Sequence, residues 1–201
     1  MIDPLDPATA LEDLGAGSAP TATRGRHRRA FPDTDWRADR IGAARRDENP
    51  TVLARMRTGW AAIGDTQYLP GYCVLLADAP DVDHLLDLPR SAQVDFLTDM
   101  ALLGEAVFHA CNGLDPAFRR VNYEVLGNSM RQLHAHVHAR YAWEPEQYRL
   151  GPVWRYPDDL REAPEHLLGE QHDGLRDAIT IELERVMRDA YGTLPAADGL
   201  L

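Results

Sequence analysis

Residues 133–141 read LHAHVHARY and place His134, His136 and His138 two apart. An imidazole can ligate a metal, move a proton or attack an electrophile, and the spacing separates these uses. On a strand, side chains at i, i+2 and i+4 share one face. At a rise of ~3.3 Å per residue the outer pair starts about 13 Å apart. Zinc takes its nitrogens at about 2.0–2.1 Å, so one regular strand cannot turn all three rings onto one ion. Two readings remain: a plain sheet surface, or a row of imidazoles facing an extended anion, one ring per phosphate or per attacking and leaving group. Histidine suits the second. With an ordinary pKa near ~6.5 the neutral ring is well populated at pH 7, while a protonated neighbour can bind phosphate or serve a leaving group. Attack by a ring nitrogen on phosphorus gives a phosphoramidate and splits one hard step into two easier ones.

The elements that hold this row follow from pattern. Ala135, Val137 and Ala139 alternate with the histidines and supply the apolar face that a half-buried strand over 133–141 requires. Residues 119–128 read as the preceding strand, closed by a Gly127-Asn128 turn. The runs 58–64 and 71–77 read as two antiparallel strands, joined by DTQYLPG turn chemistry. Residues 89–113 read as a long helix with Ser91 as cap and Gly113 as stop. Its core stripe is Val94, Leu97, Ala101, Gly104, Phe108 and Cys111, widened by Met100, Leu103 and Val107. A shorter helix is expected over 33–50, capped by Asp33 or Thr34 and ended by Asn49-Pro50. A final helix is expected over 170–191, with Leu175, Ile179, Leu183, Val186, Met187 and Ala190 inward. Residues 1–34 read as a disordered tail carrying a basic run, RGRHRR, at 24–29. The organisation is then a tail, a domain over 35–150 and a C-terminal extension over 151–201.

Composition narrows the partners. With 21 Lys+Arg against 32 Asp+Glu the formal charge is −11, which opposes general binding of nucleic acid or anionic membrane. A local site can still take a small anion. Cys73 and Cys111 form no CxxC pattern and read as buried free thiols of a reducing cytoplasm. The opening residues lack a basic region followed by an apolar core, and no window approaches ~18 apolar residues, so neither a signal peptide nor a membrane span is expected.

The alternating histidines, with WAAIGDTQYLPGYCVLLADAPDVDHLLDL before them and VNYEVLGN leading into LHAHVHARY, resemble the histidine triad (HIT) family of nucleotide hydrolases and transferases. The likeness spans about residues 50–150 and leans toward the dinucleoside-polyphosphate-hydrolase-like branch. It implies an α+β, HIT-like fold, an antiparallel sheet with a long helix packed across it; the C-terminal helical extension lies outside the shared core. The likeness implies that His136 attacks an α-phosphate to form a nucleotidyl-histidine, with His134 and His138 contacting phosphate or leaving group. Asp65 matches an acidic residue that holds ribose hydroxyls, and Asn122 a polar residue near the phosphates. Asn128 precedes the row, and Arg140 follows it as a candidate to neutralise phosphate.

The chain departs from the family pattern in three places. Tyr72 stands after the Pro-Gly where many members carry a fourth histidine; it can still donate a hydrogen bond to substrate. The loop from Asp65 to Pro70 is about one residue short. Met130 and Arg131 occupy the places of a Gln/Ser pair, with Ser129 and Gln132 nearby. His84 reads as structural. The resemblance requires no resident cofactor or metal, allows Mg²⁺ on the substrate phosphates, and calls for a small nucleotide as partner and a homodimer as assembly. The alternative is a non-catalytic or accessory nucleotide-binding protein on the same fold.

Overall fold

The computed structural model describes residues 35–79, 81–128 and 130–192. The expected tail over 1–34, its basic run, and the Asp33 and Thr34 caps lie outside these residues. Five strands form one antiparallel sheet: β1 (Val52–Arg55), β2 (Gly59–Ile63), β3 (Cys73–Ala77), β4 (Phe118–Glu124) and β5 (His134–Tyr141), in the order β1-β2-β3-β5-β4. The histidine strand is therefore interior, hydrogen-bonded on both sides. The helices are α1 (Arg40–Arg45), α2 (Arg90–Leu114), α3 (Glu146–Arg149), α4 (Asp158–Arg161) and α5 (Asp173–Tyr191). α2 packs on β3, β4 and β5, and α5 packs on α2 and β1. None of the described helices is long and apolar enough to cross a membrane.

One apolar cluster joins Ile63, Leu75, Ala135, Val137 and Ala139 of the sheet to Phe96, Leu103 and Val107 of α2 and Ile179, Leu183 and Met187 of α5. The alternation in β5 thus sorts as expected, with Ala135, Val137 and Ala139 fully inside. Cys73 and Cys111 are both buried free thiols, and burial pushes both well above the usual thiol range, Cys111 to about 11.

Several local expectations need correction. The helix over 33–50 shrinks to α1, capped by the Asp39 carboxylate, which accepts from the Gly42 N–H. The unforeseen β1 follows it. The α2 stripe is rotated in part: Gly104, Cys111, Leu103 and Val107 are buried as expected, but Val94, Leu97, Ala101 and Phe108 are exposed, and Phe96, Asp99, Ala106 and Ala110 complete the core face. Both faces of α2 carry apolar residues, so periodicity alone cannot choose. Asp99 is tolerated inside because its carboxylate accepts the Thr58 N–H and hydroxyl, each at 2.7 Å, and the Tyr191 hydroxyl. Ser91 lies one residue inside α2, whose cap is Pro89, and Gly113 does not stop it. β4 ends at Glu124, before the Gly127-Asn128 segment, and Ala190 is exposed.

The loop between β2 and β3 is fastened by Gln67. Its amide nitrogen donates to the carbonyls of Gly64 and Tyr72, and its oxygen accepts the Gly71 N–H. Gly71 has φ +95, and a Cβ there would lie 2.4 Å from the Cys111 sulfur, so this turn admits only glycine. The turn aims Tyr72 along the sheet toward β5.

Candidate active site

Sheet register sets the site. Trp60, Leu76 and His134 form one cross-strand row; Ala62, Val74, His136 and Glu124 form the next. Asn122 lies opposite His138 across β4 and β5. Tyr72 continues this third row: its ring stacks on His138 at 4.3 Å between centroids and 7° between planes. Gly64 makes room, since a Cβ there would lie 2.2 Å from the tyrosine ring. The three histidines, Tyr72, Asp65, Thr66, Tyr68, Met130, Arg40, Trp154 and Arg161 line one cavity of about 200 Å³ with an apolar floor that includes Ala62, Val74 and Leu76. Ligand pockets commonly reach ~300–1,000 Å³, so an extended ligand would project beyond this one.

Each imidazole has its own environment. The His134 Nδ1–H donates to the Gln132 carbonyl at 2.6 Å, because a carbonyl can only accept. His136 Nδ1 lies 2.8 Å from the Tyr72 hydroxyl. His138 is 1% exposed, and neither ring nitrogen has a hydrogen-bond partner among the described residues; Glu124 Oε2 stands 3.9 Å from its Nε2. The Asn122 Oδ1 beside it is likewise buried and unpaired. Burial, then the neighbouring His134, lowers His136 to about 4. Burial holds His138 well below the usual range, helped by the neighbouring His136 and by the charges of Arg140 and Arg161. Burial also raises the Tyr72 phenol, so it keeps its proton. At neutral pH the middle and last rings are therefore uncharged, and a neutral imidazole is the nucleophilic form.

Other expected site residues fall into two groups. Asp65 lines the cavity, but Arg40 holds its carboxylate through two nitrogens at 3.0 and 2.6 Å, and the Arg37 Nε adds a third contact at 3.2 Å. Both arginines lie over buried Trp36. Any ribose hydroxyl would share that carboxylate. Arg140 sits on the histidine face of β5 yet does not line the cavity. It is 2% exposed, paired with Glu144 and donating to the carbonyls of Gly151, Tyr148 and Arg149. Asn128 and Arg131 are exposed and outside the cavity wall. Gln132 ties down the end of β3 through the Ala77 and Ala79 carbonyls. Met130 does line the cavity. His84 is exposed and away from it.

Pattern reasoning missed Trp154 and Arg161, which come from the extension beyond residue 150. Trp154 meets His136 and His138 edge-on at 5.1 and 5.6 Å, and its Nε1–H donates to Glu124 at 2.6 Å. The only local hint was an aromatic-rich VWRYP run inside a Pro-rich stretch. Among the described residues, no cluster of three or more His, Cys, Asp or Glu side chains is arranged to hold a metal ion.

No family model and no curated protein matches the sequence. Solved structures do match the fold. A histidine triad protein from Sinorhizobium meliloti 1021 aligns over 76% of this chain and 97% of its own, with TM-score 0.56 and 22% identity. A histidine triad protein from Marinobacter aquaeolei VT8 aligns over 67% and 89%, with TM-score 0.54 and 23% identity. The chain has the histidine triad fold. The long helix and antiparallel sheet expected of that fold are present, as is the C-terminal helix expected outside its shared core. In this version of it, the extension closes over the histidine row and supplies part of its wall.

Proposed function

We propose that the protein is a nucleotide hydrolase or nucleotidyl transferase that acts at the α-phosphate of a nucleoside polyphosphate or phosphoramidate through a nucleotidyl-His136. The observation that carries this reading is the state of His136: an uncharged ring in a cavity wall, with Nδ1 tied to Tyr72 at 2.8 Å. When Nδ1–H donates to the tyrosine oxygen, the lone pair resides on Nε2. Attack then forms an N–P bond while the bond from phosphorus to the leaving group breaks and its electron pair departs with that group. Water, or another acceptor, attacks the same phosphorus, and the N–P electron pair returns to Nε2. His134 and His138 flank the reacting centre, Asn122 offers its amide beside His138, and Asp65 stands where ribose hydroxyls would be received. Tyr72 takes up orientation of the nucleophile in this reading, as well as substrate contact. Mg²⁺ carried on the substrate phosphates would need no protein ligand. A homodimer is the proposed assembly; α2 leaves Val94, Leu97 and Phe108 exposed.

The opposite direction of the same contact would serve the alternative, a nucleotide-binding protein without efficient turnover. If the Tyr72 O–H instead donates to Nδ1, the proton sits on Nε2 and the ring cannot attack from there. Kinetics of His136→Ala on a panel of dinucleoside polyphosphates, nucleoside phosphoramidates and nucleoside diphosphates with inorganic phosphate separates the two. The hydrolase reading expects a loss on the order of 10⁴-fold with nucleotide binding retained. Turnover that persists in the variant removes His136 from the chemistry; a wild-type chain that binds but never turns over supports the alternative.

A further inference from the structure

The neutral rings of His136 and His138 bring no full positive charge to a phosphate, so charge for an anionic substrate has to come from elsewhere in the wall. Among the described residues, three arginines are near enough to consider. Arg140 is buried, paired with Glu144, and outside the cavity. Arg40 lines the cavity but is held through two nitrogens by Asp65, a carboxylate only 29% exposed. Arg161 lines the cavity too, and its carboxylate partner, Asp158, is 80% exposed. Water and salt weaken such a pair, so a phosphate can displace it. The Arg161 Nε reaches the Tyr156 carbonyl at 3.3 Å, and its guanidinium carbon lies 5.2 Å from the centre of the Trp154 ring. Trp154 in turn touches His136 and His138. Arg161 thus stands one aromatic ring away from the reacting row, and its charge is felt at His138.

The backbone of this segment is not loose. The Thr66 hydroxyl donates to the Arg161 carbonyl, the Gln67 N–H donates to His166 O at 2.7 Å, and the Leu168 N–H donates to Asp65 O at 2.9 Å. The loop that carries Asp65 therefore also fixes Arg161. Glu124, the carboxylate close to His138, has an oxygen turned onto the Trp154 N–H.

We infer that Arg161, resting on Trp154, binds the phosphates beyond the attacked phosphorus, so that the preferred leaving group is an anionic phosphate of a nucleoside polyphosphate rather than an amine. This rests on the reading of His136 given above. As the Nε2–P bond forms, the bond from phosphorus to the bridging oxygen breaks. The electron pair stays on that oxygen, adding negative charge to the departing phosphate, where a guanidinium offers paired donors. A departing amine takes up a proton and has no use for that cation.

The test compares diadenosine tetraphosphate with adenosine 5′-phosphoramidate on the wild-type chain, Arg161→Met and Arg161→Lys. The ratio of kcat/KM for polyphosphate over phosphoramidate is expected to fall at least ~30-fold in the Met variant and less in the Lys variant, which keeps charge but loses the fork. A ratio unchanged within about threefold overturns the inference. If wild type cleaves neither compound, the nucleotidyl-histidine reading fails, and calorimetry with inorganic tripolyphosphate still judges Arg161. Its Kd should weaken about tenfold or more in Arg161→Met, and an equal Kd overturns the inference. Asp158→Asn probes the same contact without touching the arginine: relieving the competition should tighten tripolyphosphate binding about two- to threefold, and weaker binding would contradict the assignment.

Discussion

Two ends of one strand face carry buried polar groups and treat them oppositely. At the C-terminal end of β5, Arg140 is 2% exposed and surrounded by acceptors. Its partner Glu144 also accepts the Tyr141 N–H at 2.6 Å and the Tyr156 hydroxyl at 2.8 Å. Burial alone would raise that carboxyl, yet the hydrogen bonds from Arg140, Tyr141 and Tyr156 hold it below the usual range. Two residues earlier, His138 is 1% exposed with both ring nitrogens unpaired, and Asn122 beside it is unpaired at Oδ1. Burial does not distinguish these ends; satisfaction does. An unsatisfied buried polar group costs roughly 1–3 kcal/mol, and a fold keeps such groups where a ligand will use them. The satisfied end has its own part in the site, because the Arg140–Glu144 cluster grips residues 141–156 and so carries Trp154 back over the histidines.

The comparison can be broken most sharply at Glu144. Glu144→Ala strands a buried guanidinium and is expected to cost about 3–5 kcal/mol in urea unfolding, with any lost activity tracking lost fold. A near-neutral Glu144→Ala would mean that this end is not structural. Next in size is pH. His136 titrates near 4 in the folded chain and near 6.5 when unfolded, so between those values only the unfolded chain takes up the proton. Stability from this group is complete above pH 6.5 and is lost as pH falls toward 4, by about 3 kcal/mol at most. By the same sign, kcat/KM should hold level well below pH 6.5 and drop only toward pH 4; a fall centred on 6.5 would mean an ordinary, solvated histidine. Tyr72→Phe keeps the stack on His138 and removes only the hydroxyl, so we expect about tenfold lower kcat with KM little changed. A change in KM with kcat intact would leave the tyrosine only its substrate contact and remove it from orienting His136. The smallest expected effect is on stability in His138→Leu: urea midpoints should stay within about 1 kcal/mol of wild type or rise, since an unpaired polar ring is being removed, while turnover falls.

Much of the frame was legible because it is local. The period of two in LHAHVHARY places the histidines on one face and Ala135, Val137 and Ala139 on the other, and nothing distant changes that. The α2 stripe was misread in part: Gly104, Cys111, Leu103 and Val107 are inside as expected, but Phe96, Ala106 and Ala110 take the inward places given to Val94, Leu97 and Phe108, on a helix that is apolar on both sides. The inward choice depends on Asp99 finding Thr58 and Tyr191, far along the chain. β1 is four residues long and paired at an irregular register, too short to display a period. Asp65, Tyr72 and the triad were brought to one cavity, as their pattern suggested. Arg140 was drawn elsewhere by Glu144, four residues on. Trp154 and Arg161 enter through contacts spanning some 30 to 95 positions, such as Trp154 with Glu124 and Arg161 with Thr66, and no motif encodes those.

The central claim is that the unsatisfied end of this face does covalent chemistry at His136. The direct test is intact-protein and peptide mass spectrometry of the wild-type chain, quenched in alkali during turnover of a dinucleoside polyphosphate. The account predicts one nucleotide monophosphate added per chain, carried by the peptide that contains His136 and missing in His136→Ala. Turnover with no adduct on that peptide, or an adduct on His134 or His138 instead, would contradict it.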